Sequence, residues 1–311
     1  MSLRLRVITG CGLLIFSGFS LGAEIYARKM EIVKTPTGQV TVFRDSVALS
    51  QEGTFLTSRR AVMQEQAGWA VLTESVYIQT AEARVWADSV VYDFKGRKAT
   101  MLAPVRNNVV VRQDSVVIRA RAVEYFLTER VLRAGQGLEI STEDGGYVLT
   151  GAQGFYNLDE RAGVVDSAPL LTIKRGQEPV QVTARQMRYQ ESGTVARAEG
   201  QVRIQSGVSS LACDTAIFYP NRDSGFAWGA PVLEDSAGRA EGDTVVFIVS
   251  NGALREVALL GRSNGRYRTE GGDTVMVEGK EISVLITDGK IERIEVAELS
   301  SGQLVRKAAV R

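Results

Sequence analysis

The large hydrophobic residues of this 311-residue chain recur in a fixed context. A large apolar residue follows a short polar–apolar alternation at Met63, Tyr92, Tyr125, Tyr156, Tyr189, Phe218, Phe247 and Val284. Successive spacings are 29, 33, 31, 33, 29, 29 and 37, the signature of a repeat. Seven positions before each anchor stands an apolar residue: Leu56, Val85, Ile118, Leu149, Val182, Leu211, Ala240 and Val277. Five before it stands a small one: Ser58, Ala87, Ala120, Gly151, Ala184, Cys213, Gly242 and Gly279. The residue after the small one is charged at Arg59, Asp88, Arg121, Arg185, Asp214, Asp243 and Lys280, with Ala152 the exception. Two before the anchor the chain is again mostly apolar, as at Val90, Val123 and Val245.

Positions −7 and −5 share one parity, and positions −2 and 0 share the other. In an unbroken strand the two pairs would face opposite sides of a sheet. For both to reach one core, the chain must bend between them. A small residue followed by a charge suits that corner, because the backbone can approach closely while the charge stays wet. Turn residues come after the anchor: Gly96, Gly193, Pro220-Asn221-Arg222-Asp223, Asn251-Gly252 and Asp288-Gly289. The chain then returns as an alternating strand, and each unit is expected to close near Ala103-Pro104, Gly137, Ala168-Pro169, Gly200, Ala230-Pro231 or Gly261.

The pattern predicts an all-β, antiparallel repeat sheet of about 30-residue units built from hairpins, with one dry face and one wet face. A parallel β-helix is the rival, but it needs a stricter period and no hairpin turns. A sheet this long must fold over on itself, enclosing an apolar trough. The candidate lining of that trough is Leu56, Val85, Ile118, Leu149, Val182, Leu211 and Val277 from the −7 position. The anchors Met63, Tyr92, Tyr125, Tyr156, Tyr189, Phe218, Phe247 and Val284 complete it. Large residues alternating with small ones leave room along the axis for acyl chains. The alternative use of the same residues is a packed core with no ligand.

The amino terminus reads as an export segment. Arg4 and Arg6 precede Val7 to Ala23, a run without charge, and Leu21-Gly22-Ala23 is an acceptable cleavage site. An uncleaved membrane anchor fits the same run at its lower length limit, and Cys11 allows a lipoprotein reading. The domain plan is therefore a signal peptide or anchor over 1–23, the repeat domain over 24–300 and a tail over 301–311.

Composition removes most chemistry. The net charge of +1 gives no bulk attraction for nucleic acid. The absence of histidine excludes Ser-His-Asp and Cys-His constellations and histidine-ligated zinc. Two cysteines, Cys11 and Cys213, cannot build a thiolate zinc site or an iron–sulfur cluster. No phosphate-loop motif is present, since Gly279-Lys280 runs into Glu281. Carboxylate pairs such as Glu241 with Asp243 are poor catalytic candidates, because their charge slot alternates between acid and base from unit to unit. The reading is of a non-enzyme without cofactors.

"VTARQMRYQESGTVARAEGQVRIQSG" (182–207), "VWADSVVYDF" (85–94) and "GQVTVFRDSVALSQEG" (38–53) resemble the repeat of the OstA-like proteins, the LptA–LptC family of periplasmic lipopolysaccharide transport. So does the Gly200-Gln201-Val202-Arg203-Ile204 strand, with a looser version at Gly137-Leu138-Glu139-Ile140. The likeness covers about residues 30–297. It implies an open β-jellyroll, or β-taco, whose interior holds the acyl chains of lipopolysaccharide. It further implies a periplasmic bridge from inner-membrane transporter to outer-membrane translocon, joined by edge-strand pairing to homologous jellyrolls or head to tail to copies of itself. The chain is longer than the compact bridge proteins of the family, Gly154 is a weak core residue, and Val284 replaces an aromatic anchor. An inner-membrane-tethered docking partner is the other role the resemblance allows.

Overall fold

The structure is a computed structural model. It describes residues 4–7, 14–15, 24–36, 38–51, 53–64, 66–81, 83–105, 108–174, 179–190, 195–219, 222–250, 253–269, 271–287 and 290–306. They form 27 strands, every assigned pairing among them antiparallel, with no α-helix among the described residues. The chain divides into two compact units, Met1–Glu143 with Gln153–Asp159, and Asp144–Ala152 with Glu160–Arg311. Most of residues 1–23 lie outside the described residues; Arg4–Val7 pairs with Lys29–Thr35, and Leu14–Ile15 with Glu24–Tyr26. The turn positions Gly193, Pro220-Asn221, Asn251-Gly252 and Asp288-Gly289 also lie outside them, although strands flanking the last two pair directly, Ser250 with Ala253 and Thr287 with Lys290.

In both units a row of the sheet is one pass of chain with a corner at its middle. Thr54–Gln64 pairs through 55–57 with the end of Trp69–Gln79, and through 60–64 with its beginning. Ala83–Asp93 pairs on its far side with Lys98–Leu102 through 89–93, and with Val109–Gln113 through 83–86. Each row therefore crosses two walls. The first wall carries the −7 and −5 positions, and the second carries −2 and 0.

The parity argument holds at the corners. Ala87 and Val90 are both buried, three positions apart, as are Ala120 with Val123 and Cys213 with Ala216. Facing rows solve the bend differently. Between Thr73 and Val76 lie Glu74 and Ser75, opposite the single Asp88 that separates Ser89 from Ala87. Two residues opposing one is a β-bulge, which bends and twists the strand. Glu74 (φ 66°) and Ser75 (φ 64°) adopt the left-handed conformation, and the same pair recurs at Asp45 with Ser46, Gln136 with Gly137, Ser167 with Ala168, Gly200 with Gln201 and Gly229 with Ala230. Gly137, Ala168-Pro169, Gly200, Ala230-Pro231 and Gly261 are thus mid-row corners. The expectation that repeats close there is corrected: each repeat supplies two rows, and the return strand turns its own corner before ending.

Charged corner residues do more than stay wet. Asp88 accepts a hydrogen bond from the Val105 N–H at 2.6 Å, and Asp243 accepts one from the Arg262 N–H at 3.2 Å. Arg185, Asp214 and Asp243 lie over Gly200, Gly229 and Gly261, leaving no room there for a Cβ. The glycine serves both a positive φ and a close approach.

The outer face carries cross-strand ion pairs such as Lys98–Glu124 and Arg119–Glu139, each at 2.8 Å. It is not uniformly polar. In the second unit Ile217, Phe226 and Val246 lie in register on three adjacent strands, and Phe226 is 42% exposed. Arg222 stacks on Tyr219 at 5.8 Å and Arg197 on Trp228 at 5.9 Å, so guanidinium groups cover part of this apolar strip.

Candidate functional site

Register assembles the predicted lining into ladders. In the first unit Leu49, Leu56, Ile78, Val85, Val111 and Ile118 face one another in unbroken succession along the first wall. Met63, Ala70, Tyr92, Ala99, Tyr125 and Leu132 do so along the second. In the second unit one ladder runs Leu149, Leu171, Val182, Ile204, Leu211, Leu233, Ala240, Gly265 and Val277. The other runs Gly163, Tyr189, Ala196, Phe218, Gly225, Phe247, Val257 and Val284. Tyr156 is buried in the first unit, at 3% exposure.

These ladders show a spacing device that the sequence reading missed. A small residue stands between successive anchors: Ala70, Ala99, Ala196 and Gly225, each seven positions after an anchor. The signal was in the sequence at position +7, but only the pairing register gives it meaning.

The two units use the device differently. In the first, the walls leave a hollow of about 470 Å³ between them, within the range of about 300–1,000 Å³ typical of small-molecule sites. Leu56, Val85, Tyr92 and Tyr125 line it, with Leu72, Met101 and Leu132 beside them. Phe94, Arg97, Leu127, Arg130 and Leu158, from the hairpin ends of the second wall, and Thr54, Thr80 and Ala81, from those of the first, also line it. The hollow therefore reaches the hairpin ends, on the side away from the corners. Met63 and Ile118 are buried beside it without forming its surface.

In the second unit the anchors pack on one another. The rings of Phe218 and Phe247 stack with centroids 6.4 Å apart across Gly225, where a Cβ would meet the Phe247 ring. Leu211 is 0% exposed, and Leu149, Val182 and Phe247 are buried, while Tyr189 is half-buried. A hollow of about 300 Å³ opens where the ladder thins to Ala240 and Gly265, and Val277, Ile282 and Val284 line it.

Among the described residues no three Cys, Asp or Glu side chains gather to hold a metal ion. Cys213 occupies a buried corner, and burial, reinforced by Asp214, pushes its thiol up to about 12. Asp243 is held below the usual carboxylate range by the Arg262 N–H and guanidinium that it accepts from, a structural pairing at a corner. No helix among the described residues is long and apolar enough to cross a membrane.

No family model and no curated protein matches the chain. A solved structure that it resembles is that of LptH, described as the LptA homologous periplasmic component of the conserved lipopolysaccharide transport device from Pseudomonas aeruginosa. The likeness is at 15% identity over 37% of this chain and 82% of that one, with a TM-score of 0.33.

Proposed function

We propose that the chain is a periplasmic lipid carrier, sheltering the acyl chains of lipopolysaccharide between its walls on their way from an inner-membrane transporter to an outer-membrane translocon. The observation that carries this reading is the apolar hollow of the first unit, walled by Leu56, Val85, Tyr92 and Tyr125 and reaching the hairpin ends. Twelve methylenes sheltered there lower the cost of leaving a membrane by about 10 kcal/mol, at about 0.8 kcal/mol each. A passive slot suffices for that, with no catalysis by the protein. The export segment and the OstA-like repeat grammar support the periplasmic setting and the lipid.

The last strand, Lys290–Val305, supports a bridge. Its one pairing among the described residues is with Thr274–Thr287, and it exposes Leu299 and Leu304 at 59% and 56%. Such an edge accepts a strand from a homologous jellyroll or a second copy. The packed-core reading is favoured by one observation, the stacking of Phe218 on Phe247 in the second unit.

Photo-crosslinking separates the two. A crosslinker at Tyr92 or Tyr125, with lipopolysaccharide supplied in the envelope, is expected to give a lipid adduct, and one at the exposed outward Arg84 is not. No adduct at either tyrosine, or equal adducts at all three sites, overturns the carrier reading.

A further inference from the structure

Five positions after each anchor, the hairpin of the second wall needs a left-handed residue. Gly68 (φ 78°) fills the slot after Met63, and Asp223 (φ 47°) fills it after Phe218. In three successive repeats between them the slot holds arginine: Arg97 (φ 46°), Arg130 (φ 53°) and Arg161 (φ 48°). The local sequences are Tyr92-Asp93-Phe94-Lys95-Gly96-Arg97, Tyr125-Phe126-Leu127-Thr128-Glu129-Arg130 and Tyr156-Asn157-Leu158-Asp159-Glu160-Arg161.

The backbone role of the slot is the same whatever its residue. The carbonyl of Gly68 accepts from the Phe94 N–H, that of Arg97 from the Leu127 N–H, and that of Arg130 from the Leu158 N–H, each at 2.9 Å. Glycine performs this role without a Cβ penalty. Arginine is therefore not there for the turn. Its side chain must answer to something else, and strain kept at one position over successive repeats points to function.

Arg97 and Arg130 line the 470 Å³ hollow, whose interior is apolar. One repeat spans two rows, so these hairpin ends stand about 10 Å apart at about 4.8 Å per row. Guanidinium forks match phosphate oxygens in bidentate geometry. Arg130 also pairs with Asp159, a carboxylate with which a doubly charged phosphate competes for the guanidinium.

We propose that Arg97 and Arg130 form an anion-reading rim that grips phosphate on the headgroup of the lipid whose chains fill the hollow. The inference rests on the carrier reading and adds selectivity to it: the slot prefers phosphorylated amphiphiles to neutral ones of equal chain content.

The test compares lipid A with the same lipid stripped of its phosphates, each displacing a fluorescent fatty-acid probe from the purified mature chain and from an Arg97→Gly/Arg130→Gly variant. The wild-type chain is expected to favour the phosphorylated lipid by about tenfold. In the variant the preference should fall to within about twofold, with the dephosphorylated lipid binding both proteins alike. Because glycine suits a positive φ, the variant should melt at the same temperature or higher, which excludes misfolding as the cause. Equal binding of both lipids to the wild-type chain overturns the rim while leaving the carrier reading intact. Binding of neither lipid overturns both. Displacement by inorganic phosphate alone, at concentrations where the dephosphorylated lipid is inert, marks a site for free anions and also overturns the proposal.

Discussion

Gly229 offers the sharpest test of the corner mechanism. Its φ of 83° lies where L-residues are penalised, and an added Cβ would sit 2.5 Å from the Asp214 Cβ and 2.8 Å from its Oδ2. The two penalties are separable. A left-handed backbone at a residue with a Cβ costs about 1–2 kcal/mol, and forcing a contact into packed structure costs about 1–3 kcal/mol. Gly229→Ala should therefore lose about 2–5 kcal/mol in the wild-type background. With Asp214→Gly already in place, which removes the Asp214 Cβ as well as its carboxylate, only the backbone cost of about 1–2 kcal/mol should remain, a coupling of about 1 kcal/mol or more on the double-mutant cycle. Urea unfolding, followed by the fluorescence of Trp228 in a chain whose Trp69 and Trp86 are replaced by Phe, reads the second unit where the change lies. Equal losses in both backgrounds would refute the steric half of the argument, and no loss in either would refute the whole of it.

Two further outcomes follow from the corners. With Cys11 replaced by Ser, Cys213 should react with iodoacetamide at pH 8 on the order of a thousandfold slower in the folded chain than in urea, as a thiol raised from its ordinary value to about 12 requires; a folded rate within tenfold of the unfolded one contradicts its burial. Because the Asp243 carboxyl titrates lower folded than unfolded, its stabilising effect is fully present above the ordinary carboxylate value and is lost as pH falls through the folded one. The stability gap between wild type and Asp243→Asn, measured by urea titration across that range, should therefore close toward acid pH, and a gap constant down to pH 2 would refute the pairing with Arg262.

Alternation and repeat spacing made the all-β hairpin architecture legible before any coordinates, because a strand shows its two faces in its period. The corner was legible for the same reason: Ala87 and Val90 cannot both be buried by a straight strand. The facing bulge was not. Nothing in Glu74-Ser75 or Asp45-Ser46 marks a left-handed pair, since those residues take up that conformation only because a neighbouring row bends where they must follow.

The sequence alone determined that the chain is all-β, antiparallel and built from hairpins in repeating units, because strand period and turn residues are local properties of the chain. Tertiary structure decided whether the dry faces meet or stand apart. Tyr92 and Phe247 occupy the same place in the repeat, yet one borders a hollow and the other stacks on Phe218. The difference lies in what stands across the sheet, Ala99 between tyrosines in one unit and Gly225 between phenylalanines in the other. Packing is a relation between rows remote in sequence, and a side chain's size fixes whether a gap is closed only once its neighbours are known.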